Sequence, residues 1–256
     1  MARSIGLALV FGLMASVGGA RADTLYMGLA AQDYPPFYYR AEGRYEGAAV
    51  ELARAAADRL GHELVFQRYN FARLQQLLRV GEVDGLILYF RSQDREKGAV
   101  YVDESHISET SSVFVRADAD VAFDGDLSVL DGKRVARVRG YYHGAAFAEA
   151  SEIDKQNVRD EEALIRAVLD GSVDAGVGNR PALMFHARLM EVADQLRFLT
   201  PVIDRAPDYI AFSPQLSGSQ ALAKDFTQAI RVIKQSPRYD AILEKYGFTP
   251  AEDAGG

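Results

Sequence analysis

The strongest constraint on how this chain can fold is a unit that it uses three times: an amphipathic helix, then a glycine, then an apolar strand. Residues 50–60 carry Val50, Leu52, Ala55, Ala56 and Leu60 at helical spacing, followed by Gly61 and the apolar Leu64-Val65-Phe66. Residues 71–80 repeat the pattern with Leu74, Leu77 and Leu78, then Gly81 and an apolar run from Val83 to Tyr89. Residues 162–169 do so again with Leu164, Ile165 and Val168, then Gly171 and Val173 to Val177. Apolar residues three and four apart give a helix one buried face. A glycine just past its end takes the left-handed conformation that stops it. Helices alternating with apolar strands make crossover units, and these make a mostly parallel sheet covered by helices. The second and third copies also align at a spacing of 90 residues: Leu74 with Leu164, Gly81 with Gly171, Val83 with Val173, Asp84 with Asp174, Ile87 with Val177. Such a repeat points to two similar α/β lobes rather than one continuous sheet.

Composition removes several classes of function. The 256 residues are 48% hydrophobic and 25% charged, which is a globular balance. With no cysteine there is no disulfide scaffold, no Cys-ligated zinc or iron–sulfur site, no thiol nucleophile and no lipid-modified N-terminal cysteine. A net charge of −7 argues against nucleic acid, which calls for a clustered basic excess.

The first residues are read as an export address. Ile5 to Gly18 is uncharged over fourteen residues, which suits a signal-peptide core and falls short of the roughly 20 needed to span a bilayer. Ala20-Arg21-Ala22 then offers small residues at a cleavage position, directly before the polar Asp23-Thr24. Removing residues 1–22 takes away Arg3 and Arg21 and no acid, so the charge of the remainder becomes −9. The expected product is secreted, periplasmic and soluble.

In the remainder, Asp126 to Gly132 reads as a turn and Lys133 to Val138 as the opening strand of the second lobe. Ser112–Arg116 and Tyr209–Ser213 are apolar runs on either side, placed as two hinge strands. Leu222 to Ile233 and Tyr239 to Tyr246 read as closing helices split by Pro237.

Several segments, in order, resemble the extracellular solute-binding proteins of the polar-amino-acid type (family 3), with the type II periplasmic-binding-protein fold. They are Tyr34-Pro35-Pro36-Phe37, Gly47 to Ala53 leading to Leu60-Gly61, Leu74 to Asp84, and Ser92-Gln93-Asp94-Arg95. Leu130 to Val135, Val168 to Ala175, and Ile242 to Gly247 follow. The resemblance implies an α/β fold of two lobes joined by two hinge strands. It puts lobe one at residues 23–114 with a returning segment 209–256, lobe two at 115–208, and the ligand in the cleft between them.

Arg95 matches the position whose guanidinium holds the ligand's carboxylate in that family. A planar, permanently charged fork suits both carboxylate oxygens. Ser92 matches a hydroxyl position three residues earlier. Tyr34 and Phe71 match positions where rings pack on the ligand, and rings supply much apolar contact for little lost entropy. Tyr89 and Phe90 end the strand leading to Arg95, and strand ends in such sheets face the ligand crevice; alternation does not say which of the two points inward. In lobe two, Gly140 opens a turn into a helix starting near Gly144, whose free N–H groups suit an anion. Tyr141, Tyr142 and His143 stand where the family places small hydroxyl residues, and Asn179 stands where it places the acid that pairs with the ligand's ammonium. A carboxylate with an aromatic or neutral polar body fits these departures as well as an amino acid does.

His62, His106, His143 and His186 are scattered without ligand spacing, so no metal or cofactor is expected. The resemblance implies a non-catalytic, monomeric binding protein that delivers an amino acid or related small carboxylate to an inner-membrane ABC-type transporter permease. Two alternatives stand beside it. One is a periplasmic enzyme on the same fold, of the cyclohexadienyl or arogenate dehydratase kind; the other is a ligand-presenting module for a membrane sensor.

Overall fold

A computed structural model describes residues 23–141 and 143–248. The expected signal segment 1–22, Tyr142 and the last residues of the returning segment lie outside the described residues.

The first half of the fold opens with β1 (Thr24–Ala30), a hairpin of β2 (Tyr39–Ala41) and β3 (Arg44–Glu46), α1 (Ala48–Leu60) and β4 (Glu63–Tyr69). It continues with α2 (Phe71–Val80), β5 (Gly85–Phe90), the single turn α3 (Gln93–Glu96), β6 (Val100–Tyr101) and the long β7 (Ile107–Arg116). The second half contains β8 (Arg134–Val138), α4 (Ala145–Glu149), β9 (Asp154–Val158), α5 (Glu161–Leu169) and β10 (Ala175–Asn179). After it come α6 (Arg180–Leu189), β11 (Leu196–Phe198), the long β12 (Asp204–Phe212), α7 (Ser219–Lys234) and α8 (Pro237–Lys245).

The sheet order is β4-β1-β5-β12-β7-β10-β8-β9, and the pattern of parallel and antiparallel pairings is the same counted from either end. In each half a central strand, β1 or β8, is flanked by parallel neighbours, and a long antiparallel strand follows. The 90-residue repeat lies under this symmetry. Asp84 Oδ2 accepts from the Tyr26 N–H at 2.8 Å, and the Asp84 N–H donates to the Tyr26 carbonyl at 2.8 Å. Asp174 does the same with Arg134, at 2.8 Å both ways. Each aspartate thus anchors the start of the central strand of its own half.

The two halves are not two separate sheets, as the repeat suggested. Asp204–Asp208 of β12 pairs with Ile107–Ser111 of β7, joining both into one hydrogen-bonded path. The connecting strands therefore begin earlier than Ser112 and Tyr209. Their opening stretches, Ile-Ser-Glu-Thr-Ser and Asp-Arg-Ala-Pro-Asp, are mostly polar, so no apolar alternation marks them as strand.

Cores form on both faces of each half. Met27, Ile87 and Phe212 pack with Leu52, Phe226 and Leu243 of α1, α7 and α8. Leu74, Leu77 and Leu78 of α2 pack with Leu86 on the opposite face. Along β7 the side chains alternate as a strand requires. Phe114 joins Leu164 and Leu183 on one face, while Val113 and Val115 join Phe147 and Val177 on the other. The helix stops act as expected at Gly61 and Gly81, which cap α1 and α2 in the left-handed conformation.

Candidate functional site

Where β7 crosses β12 the two halves leave a cleft of about 760 Å³, with a smaller cavity of about 160 Å³ opening beneath it. Ala30, Tyr34, Tyr38, Phe90 and Glu109 line both.

The inner cavity holds Arg95 together with Phe71 and Phe90. The Arg95 guanidinium lies 4.7 Å from the centre of the Tyr89 ring and 5.4 Å from that of Phe71, so rings fix it by cation–π contact. Its Nη1 donates to the Phe90 carbonyl at 3.2 Å, which engages one of the five N–H donors of an arginine. Strand alternation resolves the Tyr89/Phe90 pair. Phe90 faces the cleft, whereas Tyr89 is buried, stacked on Tyr101 at 5.7 Å. Ser92 lines neither cavity; its Oγ caps α3 by accepting from the Arg95 N–H at 3.4 Å.

On the other side of the cleft stand Tyr141, His143 and Asn179. Burial and the nearby Glu161 push the Tyr141 hydroxyl up to about 12, so it is a neutral donor. Burial lowers His143 to about 4, so this ring is neutral too, with Nδ1 3.2 Å from Ser111 Oγ. Asn179 spends both ends of its amide on the fold. Its Oδ1 caps α6 by accepting from the Ala182 N–H at 3.0 Å, and its Nδ2 donates to the Thr110 carbonyl at 3.2 Å. The start of α4 differs from the sequence expectation of an anion site. A side-chain atom added to Gly144 would lie 2.8 Å from Asp204 Oδ1, so the chain's own carboxylate occupies that approach.

Two site residues were not foreseen. Ala206 pairs with Glu109 and Ile107 with Asp208, which makes the two acids diagonal neighbours on one face of the crossing strands. The Tyr34 hydroxyl donates to Glu109 Oε2. Burial pushes Glu109 up to about 7, against the relief given by its hydrogen bonds to Tyr34 and Asp208. Asp208, 1% exposed, is raised well above the ordinary carboxylate range by burial and then by the charge of Glu109, with Arg95 pulling the other way. Among the described residues its buried Oδ2 meets no donor. Two acceptors that face each other out of water hold a proton between them. Each acid reads locally as a solvated side chain, and only a pairing between residues about a hundred positions apart unites them. The one local signal is an acid set among Ser108, Thr110 and Ser111 directly before the core run Val113-Phe114-Val115.

A cleft between two similar halves, floored by a guanidinium and rings, suits capture of a small organic solute. The profile of the bacterial extracellular solute-binding proteins, family 3, matches residues 27–249. The chain belongs to that family. Among family-3-like relatives, an arginine-binding periplasmic protein of Mannheimia haemolytica is 26% identical over 248 residues, covering 94% of this chain and 96% of that protein. A probable amino-acid-binding protein of Bacillus subtilis (strain 168), YxeM, is 28% identical over 167 residues, 63% of this chain. That match spans 61% of YxeM's own length. Among solved structures, the probable amino-acid ABC transporter extracellular-binding protein ytmK of Bacillus subtilis shares the two-lobed fold. Its TM-score is 0.73 and its identity 19%, covering 88% of this chain and 98% of that one. No helix among the described residues is long and apolar enough to cross a membrane.

Proposed function

We propose that this family-3 protein is a periplasmic binding protein that captures an amino acid or a closely related small carboxylate between its lobes and delivers it to an ABC-type transporter permease. The observation that carries the reading is Arg95, presented to the inner cavity with its guanidinium held by the Tyr89 and Phe71 rings. A carboxylate arriving there meets a fixed cation in an aromatic surround, where charge-assisted hydrogen bonds are strong. Tyr34, Phe71 and Phe90 pack against the ligand's body from the first lobe, and Tyr141 meets it from the second. The names of the relatives support an amino acid as the cargo. Residues 1–22 serve as the export signal. Lobe one comprises residues 23–114 and 209–256 and lobe two residues 115–208, a division supported by the passage of the chain between the halves at β7 and β12.

The test is a thermal-shift screen of the wild-type protein over amino acids, dicarboxylates, aromatic acids and polyamines, followed by calorimetry on each hit. Arg95→Ala weakens a carboxylate hit by about 1.5–3 kcal/mol. Unchanged affinity in that variant refutes the assignment of Arg95. A second reading, an enzyme on the same fold, is favoured by one observation: a buried acid pair beside an arginine is an acid–base device. Incubation with prephenate or arogenate separates the two, since turnover removes the binding-only reading.

A further inference from the structure

Arg95 stands on α3, a single turn none of whose residues is buried. The turn therefore has no core packing of its own to fix where the guanidinium points. Two acids, Asp94 and Glu96, also flank Arg95 in the chain, and a carboxylate that turned onto it would take the fork a ligand needs.

What holds the turn lies behind it, at Arg91. This residue follows β5 and lines both the main cleft and a separate pocket of about 230 Å³ walled by α3, β6 and α7. Its guanidinium carbon lies 5.0 Å from the centres of both the Tyr101 and the Tyr209 rings. Its Nε is 3.4 Å from Glu96 Oε1, and its Nη2 is 3.2 Å from Asp103 Oδ1. One planar cation thus ties α3 to β6 and β12. From Tyr101 the contact runs on to Arg95. The Tyr101 ring stacks on Tyr89 at 5.7 Å and 4°, and the Tyr89 ring carries the Arg95 guanidinium at 4.7 Å. The Tyr101 hydroxyl donates at 2.9 Å to the Phe90 carbonyl, which also accepts from Arg95 Nη1.

Resting on the binding-protein reading above, we infer that Arg91 is a positioning residue for ligand capture: it fixes the turn and the rings against which Arg95 lies, and it keeps Glu96 off the Arg95 guanidinium. Two carboxylates of the chain itself match the charge of Arg91, so a ligand anion gains little from it directly. The other flanking acid, Asp94, pairs with Lys97 at 2.8 Å; that pair is highly exposed and holds the turn weakly. Arg91 differs because its contacts share one rigid plane, with rings against the plane and acids at its donors. A lysine can reach Glu96 as a point charge, but it has no plane to set against two rings.

The test compares the wild-type chain with Arg91→Ala and Arg91→Lys. Hydrogen–deuterium exchange without ligand reads the turn, where the Arg95, Glu96 and Gly98 amides donate to Ser92 Oγ, the Ser92 carbonyl and the Arg95 carbonyl. In Arg91→Ala, residues 92–98 should exchange about threefold or more faster, while the strands of both halves keep their wild-type rates. Calorimetry with each proteinogenic amino acid then reads the consequence. Every one that binds wild type should bind Arg91→Ala about fivefold weaker, and Arg91→Lys should regain no more than about twofold. In an Arg95→Ala background, removing Arg91 should cost no further affinity. Unchanged exchange at 92–98, faster exchange throughout the first half, or full recovery by lysine overturns the inference while the binding-protein reading stands. So does a loss confined to aspartate and glutamate, since Arg91 then touches the ligand's second carboxylate itself. If no amino acid binds the wild type, the binding-protein reading falls and takes this inference with it.

Discussion

Replacing Glu109 by glutamine tests the buried acid pair without any ligand. Burial raises the folded-state value of Glu109 from 4.5 to about 7, so between those values the folded protein binds more protons at this site than the unfolded chain does. Stability therefore falls as pH rises through that window. At 1.36 kcal/mol per unit the full swing is about 3 kcal/mol, and the side chain's remaining contact with solvent in the cleft brings the expectation to about 1–3 kcal/mol. A glutamine in its place cannot titrate, still accepts from Tyr34, and can donate to an ionised Asp208. His106 and His143, lowered by burial to about 4, work in the opposite direction, costing stability as pH falls below 6.5. They are the same in both proteins, so the difference between wild type and Glu109→Gln isolates the Glu109–Asp208 pair, whose two acids titrate together. Urea denaturation near pH 5 and near pH 8 should show the variant gaining on wild type by about 1–3 kcal/mol over that interval. Stability curves that run parallel across it refute the claim that Glu109 holds a proton in the folded state.

Three further outcomes follow from the fold. Gly144 has φ 90° and lies against Asp204, so Gly144→Ala should cost about 1–3 kcal/mol in chemical denaturation; a neutral result contradicts the close approach of α4 to β12. Asp84→Ala and Asp174→Ala each remove the carboxylate that accepts from the first strand's backbone, and each should cost about 1 kcal/mol, whereas a large inequality would break the symmetry between the halves. The rings of Tyr39 and Phe185, one from each half, meet with centres 5.6 Å apart, so Phe185→Ala should enlarge the ligand-free radius of gyration in X-ray scattering. An unchanged radius means that this contact does not hold the lobes together.

What the sequence disclosed follows from the range of the interactions involved. The Phe71–Val80 helix and its Gly81 stop are written in neighbouring residues, since apolar spacing and a left-handed glycine act locally. The repeat was legible because Asp84 and Asp174 perform the same bond in each half. Arg95 was singled out by its match to a family position, because its local sequence, between Asp94 and Glu96, reads equally as a solvated turn. The floor of the cleft was not legible. Residues 108–111 and most of 204–208 are polar, several of them lining the cleft, and the same polarity hides them as strands. Glu109 and Asp208 become a pair only through that long-range register. Asn179 shows the reverse: Asn179-Arg180-Pro181 is a local helix-start signal, and the capping role it announces is the one its side chain performs.

The most direct measurement is hydrogen–deuterium exchange on the protein with and without an amino acid taken from the thermal-shift screen. A solute held between two lobes should slow exchange together in 89–96, in the crossing segments 107–111 and 204–208, and across the cleft in 139–143. Protection confined to one half, or lying away from these segments, contradicts capture between the lobes.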